Sequence, residues 1–418
     1  MSDPNPKPKP AAIDVDVLIA GGGLVGLTLG IALGRSGMAV AVVDRLAPDQ
    51  PLEDTFDGRA SALSFAVWRM LGALGIADYV AAAEPIRDIL VTDADRRRQP
   101  SPLSLHFDRD DAGEEALGWM VENRHTRVAL DLAAATCPTL HRLAPDSLSS
   151  FEVDGPHVTA QLASGLTVRA RLLVGADGKT SQVRETLKIR SYGWPYRQSA
   201  LVTTVHLANG HGGTACEMFL PDGPLAVLPL SDDRANIVWS QDARLAQARA
   251  ALAPEALGQD LTQATGGAFG AMHLVAPAHV WPLELRLAAE WVRPRVTLAG
   301  DAAHVIHPLA GQGLNLGLKD VAALAEVLVA AERVGEDIGS TLVLDRYAAW
   351  RRADTVTLAL ACEGFTRLFS NEIAPLRMLR TAGLGLVDAA APARRFFARH
   401  AGGAAGDLPR LLRGEALA

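Results

Sequence analysis

Three stretches of this chain carry glycine and aspartate in spacings suited to gripping a phosphorylated cofactor. In the first, Gly21-x-Gly23-x-x-Gly26 lies between the apolar Val15, Val17, Leu18 and Ile19 and a helical pattern through Leu27 to Arg35. The second is Gly175-Ala176-Asp177-Gly178-Lys179-Thr180-Ser181-x-x-Arg184. The third runs from Gly300-Asp301-Ala302-Ala303-His304 through His307-Pro308 to Gly311-Gln312-Gly313-Leu314-Asn315. In such a first motif, one glycine permits the tight turn, the next lets backbone approach a pyrophosphate, and the last lets helix and strand pack closely. The free N–H groups and positive dipole end of the following helix then hold the phosphates. Cys137, Cys216 and Cys362 are odd in number, far apart and lack a CxxC pair, so they support neither a zinc site nor a disulfide framework.

Each stretch needs an element to position it, and the flanking patterns supply one. A second strand, Ala39 to Val43, ends in Asp44, eighteen residues past Gly26 and placed to accept hydrogen bonds from an adenosine ribose. Strand, glycines, helix, strand and terminal acid in that order indicate a Rossmann-type unit holding FAD or NAD. Leu172 to Val174 and Val296 to Leu298 read as strands running into the second and third stretches, which puts Asp177 and Asp301 at the carboxyl edge of a sheet. Arg59, within Asp57-Gly58-Arg59-Ala60-Ser61-Ala62-Leu63, precedes an amphipathic helical pattern of Leu63, Val67, Met70, Leu71 and Leu74. Residues 119–130 read as a strand end and a helix bearing Arg124 and Arg127, for which cofactor contact and plain solvated charge both stay open. Leu314, Leu318, Val321, Leu324 and Leu328 define a helix that starts at Gly311 and Gly313. Its N-terminus suits the negative charge of a reduced flavin.

With 418 residues, 49% hydrophobic, the chain is long enough for two or three domains, and fibrous or disordered classes are excluded. A net charge of −7 provides no positive field, so nucleic acid is not an expected partner, and small, neutral or lipidic substrates are favoured. The uncharged run Val17 to Gly34 approaches membrane-span length, but its six glycines favour strand, turn and helix instead. A cytoplasmic protein, in peripheral contact with the inner face of the membrane at most, is expected. Residues 1–12, rich in proline, read as a disordered tail.

Roughly 190 to 290 reads as alternating short strands, Ala200 to Leu207, Ala215 to Leu220, Leu225 to Pro229 and Ala235 to Ser240. There, Phe219, Leu225, Val227, Leu228 and Trp239 are candidates for an apolar substrate wall, and a domain core explains them equally well. Residues 376–418 hold seven arginines against three acids, interleaved with Leu376, Leu379, Leu384, Phe396 and Phe397. That segment either rests on anionic lipid or a partner, or packs as a helical tail on the cofactor domain.

Taken together, GxGxxG, DGRASAL, ENRHTRVAL, GADGKTSQVR and above all GDAAHVIHPLAGQGLNLGLKD resemble the class A FAD-dependent monooxygenases, specifically the ubiquinone-biosynthesis hydroxylase family. The resemblance runs from about residue 14 to about 350. It implies an α/β fold: a Rossmann-type FAD-binding domain, para-hydroxybenzoate-hydroxylase-like, with an inserted, mostly antiparallel β substrate domain and a helical C-terminus. The expected boundaries are 13–85, 118–188 and 290–345 for the discontinuous FAD domain, 86–117 and 189–289 for the substrate domain, and 346–418 for the helical region. It further implies that Gly21, Gly23, Gly26, Asp44 and Arg45 hold the ADP part of FAD, and that Arg59, Arg124 and Arg127 meet phosphate or flavin. Asp177 is similar to a residue linking FAD and reductant sites, and Gly300 and Asp301 match a ribityl contact. Pro308, Gly311, Gly313, Leu314 and Asn315 would flank the flavin ring. Asp44 stands where the family commonly has glutamate, which leaves ribose binding intact.

The implied reaction is hydroxylation of the aromatic ring of a polyprenylated phenol by O₂ through a C4a-hydroperoxyflavin, with NAD(P)H or another electron donor as reductant. No second GxGxxG lies between a strand and a helix, so the donor must visit transiently or be another protein. A ubiquinone-biosynthesis protein complex is a further implied partner, and no metal is called for. His307 with Pro308 forms the candidate catalytic pair, although His304 and His307 serve equally as proton shuttles or as loop scaffolding. A hydroxylase of a small soluble aromatic, a polyprenyl reductase and a non-catalytic flavin scaffold are the alternatives.

Overall fold

The computed structural model describes residues 12–48, 58–93, 104–308, 311–369, 385 and 387–417. The strand Ala12–Ala20 lies inside a sheet whose parallel core runs Val296–Leu298, Thr167–Gly175, Ala12–Ala20, Val40–Val43 and Leu140–Leu143. Val17, Leu18, Ile19 and Val40 to Val42 are buried on both sides, hence their unbroken apolar runs. The helix Leu24–Arg35 packs against the helices Asn123–Ala135 and Gln312–Arg333. The run Val17 to Gly34 is therefore strand, turn and helix, and no helix among the described residues is long and apolar enough to cross a membrane.

Backbone hydrogen bonds join the three glycine loops at the carboxyl ends of adjacent strands. Gly21 N donates to Val43 O at 2.9 Å, Ala176 N to Ala20 O at 2.8 Å, and Ala299 N to Gly175 O at 3.0 Å. Segments about 150 and 280 residues apart in the chain thus share one edge. Two boundaries differ from the sequence reading. The first helix starts at Leu24, three residues before Leu27. Leu63 lies in the strand Ala60–Ser64, paired with Gly118–Glu122, and the helix occupies Phe65–Ala73 only. The cause is Ser64, whose hydroxyl accepts from Val67 N at 3.4 Å and caps the helix there.

A second, mostly antiparallel sheet follows the order His304–Val305, His279–Ala288, Ser191–Leu207, Arg234–Asp242, Gly223–Leu230, Thr214–Leu220, Asp88–Asp93 and Leu105–Asp108. Segment 88–93, itself paired with 105–108, thereby joins a strand about 126 residues later in the chain. One face, carrying Leu201, Val205, Cys216, Met218, Leu225, Val227, Ile237 and Trp239, forms a core against the helices Ala243–Ala250 and Pro254–Ala264 through Ala246, Leu257 and Leu261. These two helices correct the reading of 190 to 290 as strands alone. An antiparallel sheet with one face on a cavity needs a second layer to bury the other.

At the C-terminus, the helices Thr341–Phe369 and Ala391–Ala401 are followed by a segment whose Leu411, Leu412 and Leu417 enter the core around the parallel sheet. Leu376, Leu379, Leu384 and the tail 1–11 lie outside the described residues.

Candidate functional site

A cavity of about 680 Å³ opens between the carboxyl edge of the parallel sheet and the free face of the second sheet. Gly23, Ala176, Gly178, Ala299 and Asp301 line it from the three loops, with Arg59, Arg124 and Arg127 beside them and His307, Pro308, Gly311, Gly313 and Leu314 along one side. The turn at Gly21 to Gly26 leaves no room for other residues. Gly21 has φ +99°, and a Cβ at Gly26 would lie 1.9 Å from Gly21 O. A Cβ at Gly23 would meet nothing within 4 Å, so backbone there faces open space at the start of a helix that has no side-chain cap. That cradle is what an approaching pyrophosphate requires.

The other expected cofactor contacts fall into three groups. Asp44 Oδ2 and Arg127 Nη2 lie 3.1 Å apart, both buried and without an aligned hydrogen-bond partner among the described residues. Their bonding capacity is open to a ribose or phosphate, so the residues present fit FAD. Arg124 is held by Glu122 Oε2 at 2.6 Å, and Arg59 lies with its guanidinium 4.8 Å from the Trp281 ring centre. Arg45 is exposed and absent from the cavity wall, since it follows Asp44 where the chain leaves the sheet. Glu122, which the sequence reading did not single out, ties the start of the helix Asn123–Ala135 through Arg124 to the second sheet through Arg234 Nη1 at 2.7 Å. Burial opposes its charge, but the two guanidinium groups outweigh that and hold its carboxyl below the usual range.

The Gly300-Asp301 turn is set by a buried network. Asp320 Oδ2 accepts from Gly300 N at 3.0 Å and pairs with His304 Nε2 at 2.5 Å, while Asp320 Oδ1 accepts from Arg351 Nε at 2.9 Å. Burial resists the charge on Asp320, yet His304, Arg351 and the Gly300 N–H together keep its pKa low. His304 is thus part of the scaffold. Asp301 opens toward the cavity but is ringed by protein, which raises its pKa, with His304, Lys179 and Arg59 partly offsetting the rise. Asp177 Oδ2 accepts from Val183 N at 3.1 Å, leaving buried Oδ1 without a partner among the described residues. Asn315 does not face outward: its amide donates to Ala62 O at 2.7 Å and accepts from Ser64 N at 2.9 Å, pinning the helix start to the strand Ala60–Ser64.

His307 is the exception among the loop's polar groups. It is buried, both ring nitrogens lack partners among the described residues, and its ring meets Tyr196 edge-on at 5.3 Å. Burial drives its pKa down to about 4 against a small opposing pull from Glu363, so near neutral pH it is an uncharged imidazole, one nitrogen donating and the other accepting. The opposite wall comprises Ala200, Val202, Glu217, Pro224, Ala226, Leu228, Asn236, Val238, Ser240, Trp281 and Leu283. Of the five wall candidates from the sequence, only Leu228 is here. Leu225, Val227 and Trp239 point to the helix-covered core, and Phe219 packs with Leu105 and Phe107 in a small side cluster. Alternation along the strands separates the two faces, and mid-strand Glu217, among apolar neighbours, was the signal that could have identified the cavity side.

A model of the family described as "FAD binding domain" matches residues 14–359. The chain belongs to that family. It is an FAD-dependent aromatic monooxygenase of the ubiquinone-hydroxylase branch. Ubiquinone hydroxylase UbiL of Rhodospirillum rubrum is 42% identical over 96% of this chain and 93% of the relative. The 3-demethoxyubiquinol 3-hydroxylase of Escherichia coli is 36% identical over 91% of this chain and 96% of its own length. Among solved structures, p-nitrophenol 4-monooxygenase PnpA from Pseudomonas putida superposes with a TM-score of 0.78 at 21% identity, covering 93% of this chain and 98% of that one. Aklavinone-11 hydroxylase with FAD and aklavinone gives 0.66 at 26% identity, covering 84% and 69%. The α/β architecture with a second β sheet and a helical C-terminal region is that of this enzyme group.

Proposed function

We propose that this FAD-dependent monooxygenase hydroxylates the aromatic ring of a polyprenylated phenol in ubiquinone biosynthesis, with NAD(P)H as the reductant. The observation that carries the reading is a single cavity whose one side is the dinucleotide cradle and whose other side is a largely apolar sheet face. Bound FAD supplies the redox chemistry that splits O₂ and delivers one oxygen atom to the ring. Gly23 and the helix it begins hold the pyrophosphate, Asp44 takes the ribose, and Asp301 takes the ribityl chain. Gly311 N donates to Pro308 O, and the N–H groups of Gln312 and Gly313 at the start of the helix Gln312–Arg333, which has no side-chain cap, would stabilise negative charge on the flavin ring. Ala200, Val202, Ala226, Val238 and Leu283 exclude water from the reacting ring. His307, neutral and unpartnered, exchanges a proton with the phenol hydroxyl or donates a hydrogen bond to it.

Quinone-lipid mass spectrometry of cells lacking the protein tests this. Accumulation of an intermediate one ring hydroxyl short is expected, and an unchanged quinone profile refutes the reading. Peripheral membrane contact belongs to the same proposal. Phe396 and Phe397 are 56% and 42% exposed on the helix Ala391–Ala401, beside Arg395 and Arg399. Flotation on anionic vesicles is expected to fall on replacing both phenylalanines with serine, and equal recovery removes this part.

A further inference from the structure

On the sheet wall of the cavity, the catalytic reading leaves one ionisable group without a role. Glu217 lies in the middle of the strand Thr214–Leu220, and strand register places it in a row with Ala226, Val238 and Val202, all on the cavity face. It is the sole acidic residue that this sheet contributes to the cavity wall among the described residues. No hydrogen bond or ion pair engages it within those residues. Two more polar groups with unused bonding capacity line the same wall, Asn236 Oδ1 and Trp281 Nε1, and His307 faces the cavity from the loop side. A buried polar group without a partner is costly, and three such groups lining one cavity with the half-buried Glu217 mark a place where a ligand supplies the partners.

We propose that Glu217 is the specificity-determining residue of the substrate wall, its carboxyl donating a hydrogen bond to the ring oxygen of a phenol. The proposal rests on the reaction assigned above and adds the group that tells a phenol from a plain aromatic ring. Burial alone pushes the Glu217 carboxyl up to about 8, so near neutral pH it carries the proton it must donate. Its register neighbours Val91, Ala226, Val238 and Val202 are uncharged, and Cys216 points to the other face with its thiol pushed up to about 12. Across the cavity stand the neutral His307, with Arg59 and Asp301 beside the flavin loops. A site built to hydrogen-bond a hydroxyl discriminates strongly against the analogue that lacks it, because its own polar group is then stranded.

The test uses FAD-loaded full-length protein and a matched pair of probes, 2-geranylphenol and geranylbenzene, titrated by the change in flavin absorbance. Wild type is expected to bind the phenol about tenfold tighter than the hydrocarbon. Glu217→Leu should erase that preference with FAD content unchanged. Glu217→Gln, whose amide still donates, should keep most of it. Wild-type phenol affinity should fall from pH 7 to 9, while Glu217→Gln stays flat. A preference retained in Glu217→Leu, or a pH dependence retained in Glu217→Gln, overturns the role of Glu217 while leaving the hydroxylase assignment intact. Wild type that neither binds nor hydroxylates the phenol overturns both. The Gln variant decides the matter if the Leu variant does not fold.

Discussion

Adding one methyl group at Gly23 or at Gly26 should separate the cradle's two tasks, because the structure gives the two positions opposite surroundings. At Gly26, Cβ would lie 1.9 Å from Gly21 O and 3.1 Å from Gly21 C, both backbone atoms of a turn that cannot yield. Relief requires the helix Leu24–Arg35 to move off the strand by more than an ångström. Overpacking of this kind costs about 1–3 kcal/mol, and it strikes the folded protein with or without cofactor. At Gly23, Cβ would meet no protein atom within 4 Å, and φ −67° and ψ −171° suit alanine. Two small effects oppose each other there: a stiffer unfolded chain gains about 0.4–1 kcal/mol, and the weaker N-cap loses a similar amount. The cofactor-free protein with Gly23→Ala should therefore melt within about 2 °C of wild type, and Gly26→Ala should melt several degrees lower. FAD binding, followed by quenching of flavin fluorescence, reverses the emphasis. The Gly23 methyl occupies the path of the pyrophosphate, and a penalty of about 1–3 kcal/mol corresponds to a loss of roughly 5- to 150-fold in affinity. Wild-type FAD affinity in Gly23→Ala would refute the placement of the pyrophosphate. A wild-type melting temperature in Gly26→Ala would refute the packing argument.

Three further outcomes follow from the buried ionisable groups. Asp320→Asn leaves Arg351 and His304 without their shared counter-charge, a loss of about 3–5 kcal/mol; calorimetry should record a melting temperature lower by on the order of 10 °C, with weaker FAD retention because Gly300 is held by the same carboxylate. His307 has a folded pKa of about 4 against 6.5 for the free side chain, so between those values the unfolded chain takes up the proton first. Its stabilising contribution is therefore complete above pH 6.5 and is lost as pH falls toward 4, by up to about 3 kcal/mol. Urea titrations of cofactor-free protein should give a shallower acid slope for His307→Gln, and identical slopes would contradict the buried, neutral assignment. Cys137, Cys216 and Cys362 are all buried, and burial pushes the thiols of Cys216 and Cys362 up to about 12 and 11. At pH 8 the native protein should resist maleimide labelling that the unfolded protein completes at three thiols, and fast native labelling would show an open route to the core.

The parallel core and the cofactor cradle were readable from local pattern. Gly21, Gly23 and Gly26 between a buried strand and a helix form one continuous segment, and so do the Gly300-Asp301 turn and the helix beginning at Gly311. Each local choice in them agrees with the final fold. The helix start at Phe65 was misplaced because Leu63 fits helical spacing while pairing as a strand residue with Trp119. Arg45 was expected at the cofactor from the resemblance, but it follows Asp44 beyond the end of the strand Val40–Val43 and is exposed outside the cavity wall.

What the chain itself determined is the chemistry it can hold, since glycine loops, strand ends and helix starts are made by residues near one another in sequence. Tertiary structure alone decided which residues line the cavity. Leu225 and Leu228 are equally apolar, but one faces helices and the other the cavity, and only strand register and the helices Ala243–Ala250 and Pro254–Ala264 distinguish them. The Asp320 network and the Glu122 bridge joined residues up to about 110 positions apart. A buried charge is tolerable only where its partners converge, and that convergence exists only after the sheets have packed.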